Sequence, residues 1–176
     1  VALILGAARS GKSRLAQQLA EAQGEPRLFL ATGQAGDPEM AARIAQHRRK
    51  RGPAWDTREA PLELAAAIAQ AQENYRVILV DCLTLWLSNL LMHDLTDLEL
   101  EQACQGLAEA AGRSETPLIL VSNEVGWGIV PDNPLARRFR DAAGLLHQRL
   151  AAAADLVVTA MAGLPLVLKW PPQEEE

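Results

Sequence analysis

Residues 6–13 read Gly6-Ala7-Ala8-Arg9-Ser10-Gly11-Lys12-Ser13. This octad constrains the fold more than any other stretch, because it needs a particular context on both sides. An apolar run, Val1 to Leu5, precedes it and reads as a buried strand. Ser13 to Gln23 follows with apolar residues at helical spacing, and Gly24 is a stop signal. Glycines at the first and sixth positions let the backbone curl until successive N–H groups point inward. The helix behind them presents the positive end of its dipole. A loop of this kind cradles phosphate oxygens. All eight residues, Gly6 to Ser13, are therefore expected to bind a nucleoside triphosphate. Lys12 would act catalytically by reaching the β and γ phosphates, and the Ser13 hydroxyl would bind Mg²⁺.

The remaining chain alternates. Arg27–Ala31, Val77–Val80, Leu118–Val121, Leu156–Met161 and Leu164–Lys169 read as strands. Asp37–Arg51, Pro61–Asn74, Leu83–Met92, Leu98–Ala111 and Pro134–Ala154 read as helices, the first with Asp37 at the N-cap and Pro38 at the first helical position. Gly126, Gly128 and Pro131 make residues 123–133 a loop. Strand–helix alternation predicts an α/β fold of the P-loop NTPase type. It has a mostly parallel central sheet, right-handed crossovers, helices on both faces and ligands at the carboxyl ends of the strands. No repeat or linker divides the chain, so residues 1–170 are expected to form one nucleotide-binding catalytic domain. Residues 171–176, Pro-Pro-Gln-Glu-Glu-Glu, read as a flexible acidic tail.

Composition narrows the function. Seventeen basic against 22 acidic residues give a net charge of −5, which disfavours a general nucleic-acid binder. Two cysteines, Cys82 and Cys104, make neither a disulfide framework nor a zinc site, and a reducing cytoplasm is expected. No apolar run approaches the ~20 residues that cross a bilayer, so membrane insertion is not expected. The N-terminal apolar run lacks the basic flank of a signal peptide.

Two further features carry chemistry. Asp81 ends the strand Val77–Val80, where an acid would hold Mg²⁺; an aspartate at a turn has the same appearance. His47 is followed by Arg48, Arg49, Lys50 and Arg51. Those cations would hold the imidazole neutral, and hence nucleophilic, while clamping phosphates. A solvated basic helix end reads the same way. His93 and His147 have less to recommend them, and Asp141 with Arg137, Arg138 and Arg140 reads as ion pairs on a helix.

The chain resembles the bifunctional adenosylcobinamide kinase / adenosylcobinamide-phosphate guanylyltransferase family of cobalamin biosynthesis, from Leu3 to Lys169. Beside the phosphate loop with Arg14, the shared blocks are Ala31-Thr32-Gly33, Asp37-Pro38-Glu39-Met40, Arg43 to Arg48 and Pro53 to Glu59. Further along come Asp81-Cys82-Leu83-Thr84, Asn89-Leu90-Leu91, Ser122 to Pro131 and Arg138-Phe139-Arg140-Asp141. The loop alone is common to many families; the combination is specific.

The resemblance implies two reactions: phosphorylation of adenosylcobinamide by ATP or GTP, then transfer of GMP from GTP through a guanylylated histidine. His47 occupies that place. Ala31, Thr32, Gly33, Arg48, Arg49, Lys50, Arg51, Glu59 and Asp81 would contact nucleotide, Ser13 and Asp81 would hold Mg²⁺, and a homo-oligomer, a trimer in the simplest case, is implied. The loop 123–131 would face the corrinoid or the γ-phosphate, or be a turn shaped by packing. Two departures stand out: Arg51-Gly52-Pro53-Ala54-Trp55 replaces Arg-Pro-x-x-Trp, and His147 stands where asparagine is expected. The other readings are a plain small-molecule kinase of this fold, and a regulatory or nucleic-acid-binding module using the basic run.

Overall fold

The computed structural model describes residues 1–34, 42, 45, 49 and 51–171. Among the described residues seven strands form one sheet: β1 (Ala2–Gly6), β2 (Arg27–Ala31), β3 (Trp55–Glu59), β4 (Val77–Asp81), β5 (Leu118–Val121), β6 (Leu156–Met161) and β7 (Leu164–Lys169). Their order is β3-β2-β4-β5-β1-β6-β7. Every neighbouring pair is parallel except β6–β7. The central strands are continuous apolar runs because both sides of them are covered.

The helices described over their full length are α1 (Lys12–Glu21), α2 (Leu64–Ala71), α3 (Leu83–Met92), α4 (Asp97–Gly112) and α5 (Pro134–Ala153). Side chains alternate across the sheet with period two. Leu3, Leu5, Leu28, Leu30, Ile78, Val80, Leu118 and Leu120 meet α2–α5 in the larger core. Ile4, Phe29, Val77, Leu79, Ile119 and Val121 meet Ala16 and Ala20 of α1 on the other face. The sequence expectation of helices on both faces holds.

Several helices start where their caps dictate. Thr96 and Glu99 form a reciprocal capping box at the head of α4. Asn133 accepts from Ala136 N at 3.1 Å, and Pro134 opens α5. The helix expected over Pro61–Asn74 is shorter. Asn89 Nδ2 donates to Pro61 O (3.0 Å) and Trp86 Nε1 to Leu62 O (2.7 Å), and these tertiary bonds hold residues 61–62 outside the helix. Of the helix expected over 37–51, Ala42, Ala45, Arg49 and Arg51 are helical, and the rest lies outside the described residues.

Strand β3 was not expected. Its sequence, Trp-Asp-Thr-Arg-Glu, has one large apolar residue, and only Trp55 is buried. It is an edge strand pairing β2 alone, so a single buried anchor suffices. Trp55 stands edge-on to Phe29, 6.4 Å between ring centroids. At the opposite edge β7 returns antiparallel through Ala162 and Gly163, with φ values of 53° and 82°. Two successive positive values give the tight hairpin turn that suits the twist of the sheet.

Candidate nucleotide-binding site

Register gathers the carboxyl ends of the strands. Ala31 lies opposite both Glu59 and Asp81, Asp81 opposite Val121, and Gly6 opposite Ala160. Residues expected to bind nucleotide on four strands (Gly6, Ala31, Glu59 and Asp81) therefore share one end of the sheet. That end is where ligands sit in open α/β sheets.

Between β1 and α1 the chain makes the expected cradle. A Cβ at Gly6 (φ 151°) would come within 2.5 Å of Ser10 Oγ and 2.6 Å of Ala160 O. At Gly11 (φ 96°) it would meet Gly163 Cα at 3.1 Å. Only glycine fits either position. Arg9 also takes a left-handed conformation, at φ 58°. Ser10 N donates to Ala7 O (3.2 Å), and Gly163 N of the β6–β7 turn donates to Ser10 O (2.9 Å). Ala7, Ala8 and Arg9 are exposed and Ser13 is half-buried in the first turn of α1. Lys12 is only 8% exposed, and its Nζ donates to Ala7 O at 3.1 Å. Ser10 Oγ is buried without a hydrogen-bond partner among the described residues.

Asp81 closes β4, half-buried, and Cys82 follows. Burial, and then the Asp81 carboxylate, push the Cys82 thiol above its ordinary value, while Lys12 is among the groups pulling it down. The thiol thus feels both the carboxylate and the ammonium. Cys82 is a neutral, buried thiol there, 3.1 Å from Thr84 Oγ1. Thr32 is fully buried: its Oγ1 donates to Cys82 O (2.7 Å) and accepts from Cys82 N (2.9 Å), and its carbonyl accepts from Asn89. The Thr32 side chain fixes the Asp81–Cys82 bend and presents no surface, while Ala31 and Gly33 are half-buried.

Among the cations, Arg49 is exposed, and the Arg51 guanidinium lies over the Phe29 ring, 3.4 Å from its centroid. Glu59 is exposed at the end of β3. His47, Arg48 and Lys50 lie outside the described residues.

Sequence reading singled out the loop after β5 but discounted the histidine that anchors its root. His147, buried on α5, places Nε2 2.7 Å from Ser122 Oγ, and its Nδ1 is 3.8 Å from Glu124 Oε2. Burial lowers its pKa, and the Glu124 carboxylate acts the other way. Ala143, Leu146 and Leu150, buried around it at helical spacing, were the available signal that this histidine faces inward. Asn123 Nδ2 donates to Thr84 Oγ1 at 2.8 Å. The expected ion pair on α5 is present for Arg140–Asp141 (3.2 Å), whereas Arg138 pairs across to Asp97 of α4 (2.8 Å). Arg137 instead donates to the carbonyls of Pro131 and Asp132, fastening the end of the loop.

A strand, a glycine-bounded cradle with a buried lysine, a helix and an acid on a nearby strand end define a P-loop nucleotide-binding protein. A solved structure from Pyrococcus horikoshii OT3 has the same overall fold, with a TM-score of 0.57 at 10% identity over 97% of this chain and 86% of that one. The chain belongs to the cobinamide kinase / cobinamide phosphate guanyltransferase family, whose profile matches residues 2–168. It is 51% identical to the bifunctional adenosylcobalamin biosynthesis protein CobP of Pseudomonas aeruginosa, over 97% of this chain and 98% of that protein. It is 40% identical to the bifunctional protein CobU of Salmonella typhimurium, over 95% and 98%. It is thus an enzyme of two activities, a kinase and a nucleotidyltransferase.

Proposed function

We propose that this chain phosphorylates adenosylcobinamide with ATP or GTP and then transfers GMP from GTP to that phosphate through His47. The buried Lys12 inside the glycine-bounded loop, with Asp81 at the same end of the sheet, carries the reading. In the kinase step the loop amides and the Lys12 ammonium hold the β and γ phosphates as the acceptor hydroxyl displaces the nucleoside diphosphate. In the second step the His47 imidazole attacks the α-phosphorus of GTP, the bond to pyrophosphate breaks, and a guanylyl-histidine results. The phosphate of the first product then attacks that phosphorus, forming adenosylcobinamide-GDP and freeing His47. Arg48, Arg49, Lys50 and Arg51 would offset phosphate charge, and Ala31, Gly33 and Glu59 would line the nucleotide.

Mg²⁺ fits the donors available. A hydroxyl in the first turn of α1 and a carboxylate at a strand end are hard oxygen ligands, and this ion is commonly held by one or two such groups plus substrate phosphates. Ser13 and Asp81 would hold it, and when bound it would neutralise charge on the phosphates.

Residues 1–170 would act as one catalytic domain. Two free, buried cysteines support a reducing, cytoplasmic setting. Among the described residues no helix is long and apolar enough to cross a membrane. A homo-oligomer, with a trimer as the expected form, is supported by the outward-facing Leu164, Leu166 and Leu168 of edge strand β7.

Intact-mass measurement after incubation with GTP and Mg²⁺ tests the reading. The expected result is an added GMP, labile to acid and stable to alkali, absent in His47→Ala. Wild-type enzyme that acquires no GMP would sink the guanylyltransferase half.

A further inference from the structure

The kinase step removes a proton from an alcohol, and nothing assigned so far receives it. Lys12 and the loop amides are donors, and Asp81 is taken as a metal ligand. The segment after β5 holds a carboxylate in the right place. Ser122 N donates to Ile4 O and Glu124 N to Gly6 O, each at 3.0 Å, so the β5–β1 ladder runs on until Glu124 is level with the first residue of the phosphate loop. Strands in a sheet lie about 4.8 Å apart. Glu124 is therefore one strand spacing from β1. Glu59 stands four spacings away, about 19 Å, beyond the reach of one side chain.

The polar groups of this segment have divided roles. Ser122 Oγ is held by His147, and Asn123 Nδ2 by Thr84. The Glu124 carboxylate reaches the surface, with its side chain 25% exposed. It is aimed from both sides: Oε1 accepts from Gly126 N at 2.8 Å, and Oε2 faces His147 Nδ1 at 3.8 Å. A carboxylate fixed in this way, on a residue whose backbone adjoins the phosphate cradle and with an open approach, has what a general base requires.

We propose that Glu124 is the general base of the kinase step, an assignment that rests on the two-step reading above. The acceptor O–H bond breaks as its proton passes to the Glu124 carboxylate. The oxygen closes on the γ-phosphorus, the γ-phosphorus–oxygen bond to the β-phosphate breaks, and the nucleoside diphosphate leaves with that electron pair. The proton then returns to solvent. Guanylyl transfer needs no such base, because a neutral imidazole attacks first and a phosphate second. Glu124 therefore belongs to one reaction only.

The full-length enzyme with Glu124→Gln, which keeps an acceptor for Gly126 N–H, separates the possibilities. Three quantities are measured: the kinase kcat and acceptor KM, GMP loading of His47 from GTP with no acceptor present, and GMP transfer to acceptor that is already phosphorylated. The expected result is a kinase kcat lowered by about 10²-fold or more with little change in KM, both guanylyl half-reactions at wild-type rates, and Glu124→Asp intermediate in the kinase assay. A Glu124→Gln kinase kcat at the wild-type level would overturn the proposal. So would a parallel loss of kinase and GMP loading, which would make the residue a support for the loop. Wild-type enzyme that takes up no GMP would overturn the two-step reading itself, a result visible without any variant.

Discussion

The loops after β1 and β5 leave adjacent strands at the same end of the sheet, yet they are held in opposite ways. The first is fixed by backbone: Gly6, Arg9 and Gly11 stand at positive φ, and its carbonyls and amides bond within the loop, to the Gly163 turn and, from Gly6 O, to Glu124 N. The second is fixed at its root by side chains from distant helices, His147 on Ser122 and Thr84 on Asn123. Further out it opens to exposed Trp127 and Ile129. A loop that must grip the same polyphosphate in any setting is shaped by its own glycines. A loop that serves one particular acceptor is shaped by the surrounding chain.

Four substitutions break or sharpen that contrast. The largest effect belongs to Lys12→Ala, which removes the cation of the cradle. The kinase rate should fall by at least about 10²–10³-fold with the fold intact by circular dichroism, and a loss under tenfold would contradict the role given to the loop. Next comes a glycine pair. Gly11→Ala forces an L-residue to φ 96° against Gly163 Cα and should destabilise by about 1–2 kcal/mol or more in urea unfolding. Gly128→Ala in the second loop meets nothing within 4 Å and should stay within about 0.5 kcal/mol. Equal effects would erase the difference between the loops.

The smallest effect is a pH dependence. Burial depresses the His147 pKa below its ordinary 6.5, so the unfolded chain binds more protons than the folded one between the two values. The contribution is fully present above 6.5 and is lost as pH falls through the depressed folded value. His147→Asn should flatten that slope in melting curves recorded across this range, and an unchanged slope would remove His147 from the account.

What was legible in the sequence follows the same division. The phosphate loop could be read because its determinants are local and glycine-specific. Most strands could be read because central parallel strands are unbroken apolar runs. Trp55–Glu59 escaped because an edge strand with one buried anchor has almost no hydrophobic signature. Thr32 was grouped with residues facing the nucleotide, although its hydroxyl closes on Cys82, fifty residues away. His147 was discounted although it organises Ser122 across 25 residues. Contacts between distant segments leave no periodicity to read; only the apolar neighbours of His147 hinted at it.

The ammonium of Lys12 is taken out of water by folding itself, and its Nζ donates to a carbonyl of its own loop. Drying a cation is expensive, and here folding has already covered that expense. An incoming triphosphate therefore meets a cation already desolvated and already held by its own loop.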